Sequence, residues 1–184
     1  MLFTGGTIGA RSMAGAAAIV ALFAIHASAT QFDAFDRSAQ VRGSDVILTG
    51  RILSVHCQWN PDHSAIFSDA ELSVDEVWKG LPAGDRVVVR TFGGRVGDVA
   101  LEVEGAARFD GGERVVVFLR RSGVVYAPFG MRFGKYQIVG TGTASVAIGA
   151  PPPTTKGEQK LVAASVPLAR LRTEVARLVN GEDK

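Results

Sequence analysis

His56, Cys57, Asp62 and His63 stand within one short stretch of the chain, and imidazole, thiolate and carboxylate groups are the usual ligands of zinc. A metal-dependent hydrolase built on this sequence would use His56 and His63. Their spacing matches no ligand template. His56 and Cys57 are adjacent in a segment that reads as a strand, so they point to opposite faces. The turn chemistry of Trp59-Asn60-Pro61-Asp62-His63-Ser64 separates the two histidines. Both are expected to be solvated rather than metal-bound. Nucleophilic catalysis needs a nucleophile, a base and an orienting group in contact, and no Gly-x-Ser-x-Gly elbow is present. The carboxylate pairs Asp69/Glu71 and Glu102/Glu104 each share one strand face. That arrangement suits acid–base work, but it also describes the wet side of a half-buried strand. Gly93-Gly94-Arg95-Val96-Gly97 resembles a phosphate cradle only in composition, because a nucleotide fingerprint must open a helix and no helical periodicity follows. No catalytic set, cofactor loop or metal site is therefore expected.

The first 29 residues carry another kind of signal. Arg11 is their only charge, Ala14 to Ile25 is an uninterrupted apolar run, and Ala27-Ser28-Ala29 places small residues where a signal peptidase reads them. The apolar run falls short of the ~18–20 residues that cross a bilayer. The expectation is an exported chain, periplasmic or extracellular, with no stable membrane span after cleavage. Removing Arg11 from 20 basic side chains leaves 19 against 18 acidic ones. Such a balance provides no basic stripe for nucleic acid. Cys57 is the single cysteine, so no intramolecular disulfide can form, and a packed thiol is expected.

The elements that would position these residues are mostly strands. Residues 30–44 form a polar lead-in, either a short helix or loose chain. From Val46 to Val55 the sequence is β-branched and apolar on both faces, as in a barrel or central strand, with Gly50 suggesting a bend or bulge. Ile66, Ala70, Leu72, Val74 and Trp78 alternate with polar residues, the period of a strand with one wet face. Further strands are expected over Arg86–Phe92, Val99–Val103, Glu113–Arg120, Val124–Tyr126, Phe133–Val139 and Thr143–Ile148, punctuated by glycine turns. Residues 150–165 read as a proline-rich linker. Over 166–180, Leu168, Leu171, Val175, Leu178 and Val179 recur with helical spacing; Pro167 suits the first helical position and Asn180-Gly181 the stop. The expected fold is mainly β: residues 45–149 as an OB-like closed β-barrel with a C-terminal amphipathic α-helix.

The order of Asp45–Ile52, Phe67–Val77, Trp78-Lys79-Gly80, Arg86–Thr91 and Gly112-Glu113 before Val115–Leu119 resembles the netrin-like group of OB folds, which includes the tissue inhibitors of metalloproteinases. It is also similar to small exported bacterial β domains of undefined function. The resemblance covers roughly Asp45 to Val139 and implies a closed five-stranded barrel with a helix near its end. The inhibitors act through an N-terminal cysteine. Here the expected mature terminus is Thr30, and the group's disulfides have no counterpart in a chain whose lone cysteine is Cys57. The expected function is a non-enzymatic binding or protein-interaction module with a partner in the cell envelope or outside the cell. An alternative is a structural accessory of an envelope assembly that docks through its C-terminal helix or a strand edge. Binding residues concentrate on loops of a rigid scaffold, which points to Trp59 and His63, to Arg95 and Asp98, and to Arg132 and Lys135.

Overall fold

A strand that is apolar at consecutive positions must be covered on both faces, and two strands of this chain are. In β1 (Val46–Trp59) the first five residues are all buried, and in β6 (Arg114–Ser122) so are Val115 through Leu119. The computed structural model describes residues 36–150 and 164–181, and these two strands lie side by side at its centre, Val46 opposite Leu119 and Gly50 opposite Val115. The other edge of β1 pairs with β2 (Ile66–Lys79) along almost its whole length. The expected export signal and most of the expected linker lie outside the described residues. No helix among the described residues is long and apolar enough to cross a membrane.

The remaining strands are β3 (Arg86–Phe92), β4 (Gly94–Val96), β5 (Val99–Leu101), β7 (Val125–Pro128), β8 (Lys135–Val139), β9 (Val146–Gly149) and β10 (Ala164–Pro167), with helices α1 (Arg37–Gly43) and α2 (Leu168–Val179). The main sheet has the order β1-β2-β3-β7-β6-β8-β9-β10, and β1 also pairs with β6. All its pairings are antiparallel except β3 with β7, which is parallel and limited to one residue pair, Val89 opposite Tyr126. β4 and β5 form a separate hairpin.

Alternate residues of β1 and β6 feed two apolar clusters. Val46, Leu48, Ile52, Val115, Val117 and Leu119 meet Leu72, Val89, Phe109 and Tyr126 on one side. On the other, Ile47, Val116 and Phe118 meet Tyr136 and Ile138, and there α1 adds Val41 and α2 adds Leu171 and Val175. The expected bulge is present: the β1–β2 register shifts between Thr49 and Gly50. A β-carbon on Gly50 would collide with the Ser73 carbonyl oxygen and the Leu72 side chain, so only glycine allows the two strands to approach there.

α1 begins at Asp36, whose carboxylate accepts from the Ser38 amide at 2.9 Å, the usual way of satisfying a free helix N–H. At its other end Lys79 of β2 donates to the carbonyls of Val41 and Ser44 at 2.5 and 2.6 Å. The polar lead-in is thus in part a docked helix.

Several boundaries differ from the sequence reading. Pro167 closes β10 and caps α2, which starts at Leu168. Ala164 and Ser165, expected in the linker, pair with Gly149 and Ile148. The strand expected over Phe133–Val139 starts at Lys135, after a 3-10 turn over Met131–Gly134, and the last hairpin strand starts at Val146 rather than Thr143. β10 has little strand character of its own and forms because β9 offers a free edge.

Candidate functional site: an aromatic and arginine-lined groove

Strand alternation puts Phe67 and Asp69 of β2, and Arg90 and Phe92 of β3, on the face away from the first cluster. Their registers make two cross-strand pairs, Phe67 with Phe92 and Asp69 with Arg90. The phenyl rings pack tilted with centroids 4.8 Å apart, and the Arg90 guanidinium lies 5.5 Å from the Phe67 centroid. Asp69 accepts from Arg90 Nε and Nη2 at 2.7 and 2.6 Å and from Gln58 Nε2 at 2.8 Å. The two-pronged bond from Arg90 holds the Asp69 carboxyl below the usual carboxylate range and raises the guanidinium further. Phe92 is nevertheless 56% exposed, a large aromatic held on a rigid sheet and open to solvent.

Beside this pair lies a groove of about 410 Å³, within the range of ligand-binding clefts. Its walls include Phe67 and Phe92, Val125 and Ala127 of β7, Ala107, and Met131 from the 3-10 turn. Met131 is 45% exposed. Thr91 lies at the floor, 7% exposed, and also lines a second, more polar cavity of about 370 Å³ that contains Cys57, Ser68 and Arg95. There the Cys57 sulfur is 3.2 Å from Ser68 Oγ, which donates to the Gly93 carbonyl at 2.7 Å. The thiol is half-buried and packed, and Gly94 must lack a side chain because a β-carbon would stand 2.7 Å from its sulfur.

The structure brings some of the sequence-predicted residues near the groove and turns others away. Trp59 ends β1 at the row next to Gln58 and Phe67. His63, at the β1–β2 hairpin tip, faces Trp59 with ring centroids 5.8 Å apart. Arg95, expected in a turn, lies instead in β4, opposite Ala100; Asp98 is in the adjoining turn. Both are exposed, on the hairpin that follows Phe92 directly. Arg132 neighbours Met131; its guanidinium lies 5.1 Å from the Phe133 centroid, and its Nε is buried without a hydrogen bond among the described residues. Lys135 does not present its charge to solvent. Its ammonium bonds Glu113 and the Arg108 carbonyl and lies 4.9 Å from the Phe109 centroid, so it ties the 108–113 loop to β8.

His56 sits opposite Asp69 on β1, three residues before Trp59. His63 lies beyond that strand end, about 10 Å or more away along a strand that rises ~3.3 Å per residue. Among the described residues no three His, Cys, Asp or Glu side chains gather where one metal ion could be held. The carboxylate pair on β2 is likewise divided between arginines, Asp69 to Arg90 and Glu71 to Arg86 at 3.0 Å.

Phe92, Arg90, Met131 and Ala107 do not stand out in the sequence. Period-two alternation gives the face of Phe92 and Arg90, but no local pattern brings β7 and the 131–134 turn alongside them. No model of a known protein family matches this chain, and no curated protein matches it at a significant level.

Proposed function

We propose that this chain is an exported, non-enzymatic binding module that engages a protein partner in the cell envelope or outside the cell. It does so on the outer face of an OB-like closed barrel. The barrel reading is supported by pairings that run from β1 through β2, β3, β7 and β6 and return to β1, and by the sequence resemblance to the netrin-like group. Export is supported by the N-terminal charge, apolar run and small-residue site.

One observation carries the binding role: Phe92, more than half exposed, packs tilted against Phe67 at the wall of the apolar groove. Aromatic and arginine side chains beside a concave apolar surface are the common anchors of protein interfaces. The β1–β2 tip with Trp59 and His63, the β4–β5 hairpin with Arg95 and Asp98, and the turn with Arg132 rise from strand ends next to that wall.

The test is affinity capture of tagged mature protein from its native envelope and secreted fractions after mild crosslinking, with Phe92→Ser run in parallel. A stoichiometric partner captured by the parent chain and lost with Phe92→Ser is the expected result. Absence of any partner above background in both fractions overturns the proposal.

A further inference from the structure

The second cavity, of about 370 Å³, rests on a row of polar side chains where strand alternation calls for apolar ones. Cys57 opposes Ser68 across β1 and β2, and Ser68 opposes Thr91 across β2 and β3. Residues directly opposite each other share a face, and this is the face that carries the first apolar cluster. The next row on it is Val55, Ala70 and Val89, of which Ala70 and Val89 have no exposed surface. The polar row therefore lies where the packed interior ends and the cavity begins.

Two of its three members satisfy each other. Ser68 has one hydroxyl proton, and it goes to the Gly93 carbonyl at 2.7 Å. The 3.2 Å contact between Cys57 Sγ and Ser68 Oγ is therefore donated by the thiol. Gly94 lies over that pair, where a β-carbon would stand 2.5 Å from Ser68 Oγ. Thr91 has no such partner. It is 7% exposed, and the alternation that turns Phe92 outward turns its side chain to this cavity. Its hydroxyl makes no hydrogen bond among the described residues. A valine would fill the same space with no polar group to satisfy. The cavity walls include Val55, Leu101, Val103 and Phe109. The charged side chains that line it balance, Arg95 and Arg108 against Glu102 and Asp110, and Arg108 bonds Glu102 at 2.9 Å.

We infer that this cavity holds a small uncharged molecule with an apolar body and a single hydroxyl or carbonyl group, which bonds Thr91. The threonine hydroxyl serves either group, because it both donates and accepts. The apolar walls take the body of the molecule, and the balanced charges give a net charge nothing to pair with. The volume lies within the range of small-molecule sites. The cavity shares Phe92 and Thr91 with the proposed partner groove but does not depend on a protein docking there.

Benzyl alcohol is the probe, with toluene, benzoate and benzylamine as its apolar, anionic and cationic counterparts. In a titration of the mature chain followed by methyl resonances, benzyl alcohol should give saturable shifts at Val55, Leu101 and Val103. Maleimide labelling of Cys57 should slow over the same concentrations. Thr91→Val should weaken benzyl alcohol about fivefold, the worth of one hydrogen bond, and leave toluene unchanged. Thr91→Ser keeps the hydroxyl and should bind as the parent chain does, which separates a lost hydrogen bond from a lost fold. The inference is overturned by no saturation up to about 10 mM, or by tighter binding of benzoate or benzylamine. Equal binding to the Thr91→Val chain, or shifts confined to Met131 and Val125 in the neighbouring groove, overturns it as well.

Discussion

Asp69 shows what a single side chain contributes here. Its carboxylate is largely buried, while the Arg90 side chain is 37% exposed, so solvent screening limits the pair to about 1 kcal/mol. The Asp69 carboxyl is held below its unfolded value, near 3.9. Its contribution is therefore fully present above that pH and lost as pH falls through the folded value. Asp69→Asn should cost about 1 kcal/mol at neutral pH in urea titrations, and the gap to the parent chain should shrink below about pH 4. A gap that stays constant to low pH would mean that the ion pair is not the cause. Gly50 poses the steric counterpart. Gly50→Ala forces a β-carbon into the Ser73 carbonyl and Leu72, an overpacking expected to cost about 2 kcal/mol in the same titration. At this scale the sequence is informative about Gly50, because a glycine within a β-branched run marks a point where a strand bends or another backbone comes too close for a side chain. It is silent about the Asp69–Arg90 bond, which depends on the register of two strands.

At the scale of elements, α2 is tied to the sheet by one apolar stripe. Its apolar stripe suits both packing on the chain's own sheet and docking to an assembly. Leu171 and Val175 are fully buried against Ile47, Phe118 and Tyr136, and Arg172 and Glu174 on its flank pair with Glu76 and Arg37. Leu171→Ala should cost about 3 kcal/mol by the cavity it leaves, read as a lower urea midpoint. Truncation before Leu168 should abolish the cooperative transition in far-UV circular dichroism. Full retention of the transition would mean that the helix is dispensable and free to serve another surface. The helix is legible because its period is local. β10 is not: residues 164–167 become a strand only through the edge of β9, and the preceding prolines mark the segment as linker.

For the molecule as a whole, the two apolar clusters share their central strands. β1 and β6 are buried on both faces, so neither cluster can lose its packing without exposing the other side of the same strands. Unfolding should accordingly be one transition. Tryptophan fluorescence, reporting Trp59 at the hairpin and Trp78 at the second cluster, should coincide with far-UV circular dichroism across a urea series. Separated midpoints would show that the β8–β9–β10 extension with its helices unfolds independently of the rest.

The linear order of residues determined the strand periods, the Gly50 bulge, the C-terminal helix and the outer-face positions of Asp69 and Glu71, because each depends on neighbours a few residues away. The apolar run beginning at Val46 even announced that both faces of that strand would be covered. Only the tertiary structure decided which strands meet: that β1 lies between β2 and β6, that Phe92 and Met131 line one groove, that Lys135 turns inward to Glu113, and that β3 meets β7 at Val89 and Tyr126. Which strand lies beside which is set by pairings between residues tens of positions apart. Burial and hydrogen-bond satisfaction select those pairings over the whole chain at once, and no local pattern records the outcome.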